Sequence, residues 1–265
     1  MRGTWALVTG ATGGLGGALA RRLAQQGHAL LLVGRRAERL RVLAEGLRQA
    51  HGVEVASVVI ELADEGAATQ LLEQVAPRSL AVVALAASSY AHGPLAGLSD
   101  AEHDALLQCN VVNTARLLRG LLEQLDARGQ GRVLVVGSLG ALMPAPQHAA
   151  YSASKAWLHQ LVGSLQAERV GRPVSLTLAC PGGMRTAMLT DSPAWSHLQA
   201  NPLVRASLLS PEQAADQMLA ALFRGRRLIV PGWINGATLW LSRLLPHWLG
   251  VHLSRAIYVP SGAGV

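Results

Sequence analysis

A short apolar run, Thr4–Thr9, passes straight into Gly10-Ala11-Thr12-Gly13-Gly14-Leu15-Gly16-Gly17, and then into a helical pattern, Ala18–Gln26, closed by Gly27. No other stretch narrows the fold so far. Glycine lets the backbone turn sharply and lie close to a bound group. A helix starting just beyond offers free amides and the positive end of its dipole. Strand, glycine loop and helix together are the setting a pyrophosphate needs, so the spacing Gly10-x3-Gly14-x-Gly16 predicts a dinucleotide cradle. A plain strand-to-helix turn is the simpler alternative.

The rest of the chain repeats the alternation. Strand-like runs at Ala29–Val33, Val53–Ile60, Leu80–Ala86, Gly131–Gly137, Val174–Cys180 and Arg226–Val230 are separated by helical patterns, among them Ala37–Ala50, one reaching to about Arg128, and Ala149–Val170. Asp64 is the expected cap of the helix after the third strand. Ser99-Asp100-Ala101-Glu102 reads as a capping box, and Ser210-Pro211 as a helix start. No hairpin signal, internal repeat or linker interrupts the series. This predicts one α/β domain, a doubly wound, Rossmann-like parallel sheet of about seven strands with helices on both faces. At 265 residues and 50% apolar content, such a chain can bury a sizeable core without staples. Ligands of these sheets bind beyond the carboxyl ends of the strands, which is where Gly10, Arg35, Ser138 and Pro181 all fall.

Two places carry chemistry. The second strand ends in Gly34-Arg35-Arg36, with no carboxylate until Glu38. A carboxylate there would favour the ribose hydroxyl of NAD; a cation suits the 2′-phosphate of NADP, so NADP(H) is expected, with Arg35 the better ligand and Arg36 beside it. These arginines could instead merely solvate the next helix. The second place is Tyr151-Ser152-Ala153-Ser154-Lys155. On a helix, Tyr151 and Lys155 share a face, and an ammonium favours the phenolate form of its neighbour. Of 23 basic residues, 22 are arginine and the single lysine is Lys155. A compact ammonium fits where a planar guanidinium would not. Taken alone, the pair could be chance on a surface helix.

The net charge of +7 would attract anions, but the arginines are scattered and aromatics are 4%, so no nucleic-acid partner is expected. Cys109 and Cys180 lie in apolar contexts without ligand-like spacing, which suits a reduced cytoplasmic interior; no metal is expected. No run of 18 apolar residues exists and the N-terminus is a poor secretory signal, so neither a membrane span nor a leader is predicted.

Taken together, Thr9-Gly10-x3-Gly14-x-Gly16, Asn110, Ser138, Tyr151-x3-Lys155 and Pro181-Gly182 followed by Thr186 closely resemble the short-chain dehydrogenase/reductase family, over about Thr4 to Val230. Ser138 precedes Tyr151 by 13 residues, the family's usual spacing. The resemblance implies that a nicotinamide lies beside Ser138 and Tyr151. Tyr151 would exchange a proton with the substrate oxygen. Lys155 would lower the Tyr151 pKa and bind the nicotinamide ribose. Ser138 would orient the carbonyl, and Asn110 would help hold a water linking Lys155 to solvent. Cofactor contacts are expected from Gly10, Thr12, Gly13, Gly14, Leu15, Gly16, Arg35, Arg36, Glu61, Leu62, Ala87, Tyr151, Lys155, Pro181, Gly182, Met184 and Thr186. Two departures stand out: Leu85-Ala86-Ala87-Ser88 replaces the family's Asn-Asn-Ala-Gly, losing a polar brace, and Glu61 stands where the family usually has Asp.

The resemblance also implies a small-molecule carbonyl or alcohol substrate, turnover in the reductive direction, and a homodimer or homotetramer. Residues 1–230 form the expected catalytic unit. Within it, Ala187–Leu209, irregular in pattern with Pro193, Trp195 and Pro202, corresponds to a substrate lid; with Met143, Met188 and Leu189 it suggests a hydrophobic substrate. A 3-oxoacyl reductase acting on an acidic carrier protein, and a non-catalytic NADP sensor or scaffold, are the alternatives. Residues 231–265 form an extension with Trp233, Trp240, Trp248, Arg243 and Arg255. Packing on the same domain or a subunit contact is the simpler expectation for it, and lying peripherally on a membrane the sharper one.

Overall fold

The computed structural model describes residues 4–192, 195–242, 244 and 246–258; Pro193, Arg243 and residues 259–265 lie outside them. Seven strands form one parallel sheet: β1 (Trp5–Thr9), β2 (Ala29–Gly34), β3 (Val55–Val59), β4 (Leu80–Leu85), β5 (Gly131–Val136), β6 (Val174–Ala179) and β7 (Leu228–Ile229), in the order β3-β2-β1-β4-β5-β6-β7. The winding reverses between β1 and β4, whose register pairs Val8 with Ala84 and Thr9 with Leu85. That reversal opens a crevice at the carboxyl edge, directly beyond Thr9.

Alternate residues of each strand feed opposite layers. Leu7, Leu31, Val83, Val135 and Leu178 pack under α3 (Ala67–Val75), α5 (Thr114–Ala127) and α6 (Ala149–Glu168). Ala6, Val8, Leu32, Ala84 and Leu134 pack under α1 (Gly14–Gln25), α2 (Ala37–His51) and α10 (Pro211–Phe223). Over the central strands both faces are covered, which is why these strands read as near-continuous apolar runs, while the edge strands β3 and β7 are partly exposed.

Four expectations need correction. Helix α1 begins at Gly14, not Ala18, so Gly14, Gly16 and Gly17 belong to its first turns. Helix α3 is capped by Gly66 in the left-handed region (φ +77°), not by Asp64, which offers its carbonyl to Ala67 N–H instead. The long helix running to Arg128 is broken: α4 (Asp100–Leu107) ends in a π-helical turn, Gln108–Asn113, before α5 resumes. The segment expected as a lid is not irregular but holds three short helices, α7 (Ala187–Thr190), α8 (Trp195–Ala200) and α9 (Pro202–Ser207). Asn201 caps α9 by accepting from Leu203 N–H and Val204 N–H, with Pro202 in the first turn. The capping boxes at Ser99–Glu102 and Ser210–Gln213 are both formed.

The extension folds as α11 (Trp233–Ser242) and α12 (His247–Tyr258). Asn235, Leu239 and Ser254 are buried. The tryptophans are not: Trp233 is 83% exposed, Trp240 67% and Trp248 64%. No helix among the described residues is long and apolar enough to cross a membrane.

Candidate active site

Helix α6 carries Tyr151 and Lys155 one turn apart, and it packs on the short turn that follows β5. Lys155 is 2% exposed, and its ammonium donates to the Val136 carbonyl at 3.1 Å, two residues before Ser138. The same ammonium lies 5.8 Å from the centroid of the Tyr151 ring. Burial pulls the Lys155 pKa down to about 8. Cys109 and Cys180 lie near enough to act on it, but burial keeps both thiols protonated, pushing Cys180 up to about 11, so near neutrality they lend Lys155 no charge. Ser138 caps a short turn, Leu139–Ala141, by accepting from Gly140 N–H at 3.1 Å. That turn packs on α6, so a half-buried hydroxyl and a half-buried phenol border the same edge of the sheet.

Asn110 holds this corner together. It sits in the π turn, whose wider winding sends both Asn110 and Asn113 inward, fully buried. The Asn110 side-chain oxygen accepts from Ser89 N–H (2.9 Å) and the Ser88 hydroxyl (3.0 Å). Its amide donates to the Ser89 carbonyl (2.9 Å) and the Ser154 hydroxyl (3.1 Å). Ser154 in turn donates to the Tyr151 carbonyl at 2.7 Å. The loop after β4 is thereby tied to α6. The brace missing from Leu85-Ala86-Ala87-Ser88 is supplied by Thr9, whose hydroxyl accepts from the amides of Ala86 and Ala87 at 3.0 and 3.1 Å.

The glycine loop fits a diphosphate. Gly10 is left-handed (φ +67°), and a Cβ there would lie 2.8 Å from the Ala87 Cα, so the loops after β1 and β4 touch backbone to backbone. A Cβ on Gly16 would lie 2.1 Å from the Gly10 carbonyl oxygen. Gly13 caps α1 without any side-chain hydrogen bond, which leaves the first-turn amides open to an anion. A cavity of about 210 Å³ opens there, lined by Thr12, Gly13, Gly14, Arg21, Arg39 and Leu43 among others. Thr186 closes over the loop, since a Cβ on Gly14 would lie 2.7 Å from its methyl. Leu139 N–H donates to the Pro181 carbonyl, and Met184 bridges to Leu209, so the segment after β6 follows the same edge. Leu62 is buried, and its carbonyl accepts from the Asn113 amide. Arg36 is the exposed cap residue of α2. Arg35 does not stand alone: it pairs with Glu61 at 2.9 Å, and Glu61 also accepts from Ala63 N–H.

Sequence reasoning missed Arg39, Asn113 and Asn235, and it quoted Thr9 in the glycine motif without its role as a brace. Asn235 is buried, donates to the Pro231 and Ser207 carbonyls, and backs Gly182 so closely that a Cβ on Gly182 would overlap it. Thr9 and Asn113 find their partners 49 to 78 residues away, and Asn235 reaches Ser207 28 residues away, so nothing local distinguishes them.

Fold and site define a doubly wound α/β protein with its chemistry gathered at the carboxyl edge of the sheet. The family profile described as short chain dehydrogenase matches residues 4–197. The chain belongs to that family and is an oxidoreductase. It is similar to the 7β-hydroxysteroid dehydrogenase of Collinsella aerofaciens, 27% identical over 229 residues, which are 86% of this chain and 85% of that one. A structure solved for a study of 7β-hydroxysteroid dehydrogenase stereoselectivity superposes with a TM-score of 0.86, covering 96% of this chain and 97% of that one; at 24% identity this is a likeness of fold. The NADP-bound 3-oxoacyl-(acyl-carrier-protein) reductase of Agrobacterium tumefaciens is 27% identical with a TM-score of 0.74, covering 88% and 95% of the two chains.

Proposed function

We propose that this protein is an NADP(H)-dependent carbonyl reductase or alcohol dehydrogenase acting on a hydrophobic ketone, aldehyde or secondary alcohol. One observation carries it: a buried lysine, the single lysine of the chain, lies beneath the Tyr151 ring and donates to the carbonyl at the end of β5, on the same edge of the sheet as the glycine loop after β1. The residues that would hold the cofactor are Gly10, Thr12, Gly13, Gly14, Leu15 and Gly16 at the diphosphate, Arg35 and Arg36 at the 2′-phosphate, and Glu61, Leu62 and Ala87 at the adenosine. Tyr151, Lys155, Pro181, Gly182, Met184 and Thr186 would hold the nicotinamide riboside. When bound, that group supplies the hydride taken up by the carbonyl carbon. The chain's own residues handle the proton. Ser138 donates to the carbonyl oxygen and fixes its direction. Tyr151 gives that oxygen its phenolic proton as the alkoxide forms, leaving alcohol and tyrosinate. Lys155 favours the tyrosinate while Tyr151 recovers its proton. Asn110 keeps the helix in register. The water expected beside it would have to be held by its main chain, since its side chain is committed elsewhere.

An exposed ion pair such as Arg35–Glu61 is worth about 0–1 kcal/mol, so a phosphate dianion can draw the guanidinium away. Arg35→Ala should therefore weaken NADPH binding far more than NADH binding; equal losses in fluorescence titrations would refute the 2′-phosphate role. Tyr151→Phe should abolish ketone reduction yet leave NADPH affinity nearly intact. If wild-type protein binds NADPH but reduces no member of a broad carbonyl panel, the sensor or scaffold alternative stands instead.

The hydrophobic substrate is supported by the lid, where Met188 is exposed and Leu189 packs beside Gly183. The net charge of +7 favours an acidic carrier-borne 3-oxoacyl group as the second reading. The reading also carries a cytoplasmic setting, consistent with two free buried cysteines, and a homodimer or homotetramer. The exposed tryptophans of α11 and α12 would meet either a second subunit or a membrane surface.

A further inference from the structure

Tyr90, in the loop after β4, plays no part in the reading above. Its ring meets that of Tyr151 edge-on, with centroids 5.2 Å apart and planes at 75°. Its hydroxyl lies 2.6 Å from Nε2 of His148, the cap residue of α6. The other ring nitrogen, Nδ1, lies 3.0 Å from the Pro146 carbonyl. A carbonyl oxygen can only accept, so Nδ1 carries the proton. In the neutral imidazole Nε2 is then bare, and the Tyr90 hydroxyl must donate to it.

The surroundings enforce this arrangement. Gln147 has φ +67°, a conformation that costs a residue with a side chain about 1–3 kcal/mol. It persists because its carbonyl accepts from Gly93 N–H at 2.8 Å, stitching the loop before α6 to the loop after β4. His92 stacks edge-on against His148, with centroids 4.9 Å apart. Two phenols in ring contact pose a chemical problem: either could protonate an oxygen held between them.

We propose that Tyr90 and His148 form a positioning pair for Tyr151. Tyr90 steadies the Tyr151 ring, and His148 keeps the Tyr90 proton turned away, so that Tyr151 is the phenol that protonates the substrate. This rests on the carbonyl-reductase reading.

Tyr90 and His92, from the loop after β4, meet His148 directly, and on α6 Tyr151 meets Tyr90, with Lys155 beyond that ring. Burial holds His148 below the ordinary histidine value, the charge of His92 pushes the same way, and the Pro146 carbonyl opposes both. His148 is therefore neutral near pH 7. When it takes a second proton, Nε2 becomes a donor and Tyr90 must accept. The Tyr90 proton then turns toward the cleft as a rival. The arrangement is complete above the His148 pKa and is lost as pH falls through it.

The test is steady-state ketone reduction with NADPH from pH 5 to 8, for wild type, Tyr90→Phe, His148→Ala and His148→Gln. Unfolding temperature and NADPH affinity of each variant separate loss of folding from loss of positioning. Tyr90→Phe keeps the ring but frees it from His148, so kcat should fall roughly tenfold while KM for NADPH holds. It should also erase the acid limb, because no rival proton remains. His148→Ala should lower kcat at every pH. His148→Gln, whose amide oxygen can accept from Tyr90 but cannot titrate, should recover most of that loss and show no acid limb. An unchanged kcat in Tyr90→Phe, or the wild-type acid limb persisting in either Tyr90→Phe or His148→Gln, overturns the proposal while leaving the reductase reading intact. A wild-type protein that reduces no ketone takes both down together.

Discussion

On the proposed reading, Lys155 is a side chain both needed and costly. An ammonium held at about 8, against an ordinary lysine value of about 10.4, binds fewer protons in the folded than in the unfolded chain between those pH values. The sign follows from linkage: where the unfolded state holds more protons, stability rises with pH. The cost of the buried charge, on the order of 3 kcal/mol, is felt in full below pH 8 and fades toward pH 10. Lys155→Met removes that dependence together with turnover, and it also orphans the Val136 carbonyl, which adds a constant offset. Urea unfolding of the cofactor-free pair at pH 7, 8, 9 and 10 should show the wild type gaining on the variant as pH rises; a flat or opposite trend would sink the assignment. Lys155 is legible in the sequence because it is the chain's one lysine, at a helical spacing from a tyrosine. Tyr90 and His148 are not legible, because what makes them matter is a tautomer fixed by a carbonyl two residues away and a phenol 58 residues away.

At the scale of elements, the strands are readable from pattern alone, because buried parallel strands are unbroken apolar runs. The start of α1 is not. Glycines weaken a helix as a rule, so Gly14, Gly16 and Gly17 argue locally for loop. The tertiary contact decides otherwise: α1 must pass so near the Gly10 carbonyl that a side chain at Gly16 has no room. Gly16→Ala should therefore cost about 1–3 kcal/mol or more through overpacking and destroy NADPH binding. Gly46, exposed on α2, is the control, since a methyl added there would meet nothing within 4 Å. Gly46→Ala should stabilise the fold by up to about 1 kcal/mol and leave NADPH binding as it is. Thermal unfolding with and without NADPH measures both; a tolerated Gly16→Ala would mean that the loop is looser than its contacts indicate. The π turn escapes a local reading for a related reason. Its cause is the pull of Asn110 toward Ser88, Ser89 and Ser154 and of Asn113 toward Leu62 and Asp64, partners 21 to 51 residues distant.

On the scale of the whole molecule, the C-terminal helices carry apolar surface that the single chain leaves uncovered. Trp233, Ala237, Trp240, Leu241 and Leu244 recur at helical spacing, and all five are exposed. Four of them are large apolar side chains. Isolated apolar residues on a surface need no explanation, but a continuous stripe of this length marks a contact. Because the stripe is exposed, it adds little to the stability of one chain: replacing Trp233 and Trp240 by Ser should change the unfolding free energy by no more than about 0.5 kcal/mol per site. Association should change much more. A stable homodimer needs roughly 800 Å² from each partner, and tryptophans tend to dominate such interfaces. Sedimentation velocity should therefore find the wild type associated and the double variant dissociated, with unfolding midpoints at low protein concentration nearly equal. Adding anionic lipid vesicles separates the two partners for the stripe. If wild type is monomeric alone and floats with vesicles while the double variant stays in solution, the face meets a membrane. A double variant that keeps the wild-type association and vesicle behaviour would show that the stripe serves neither.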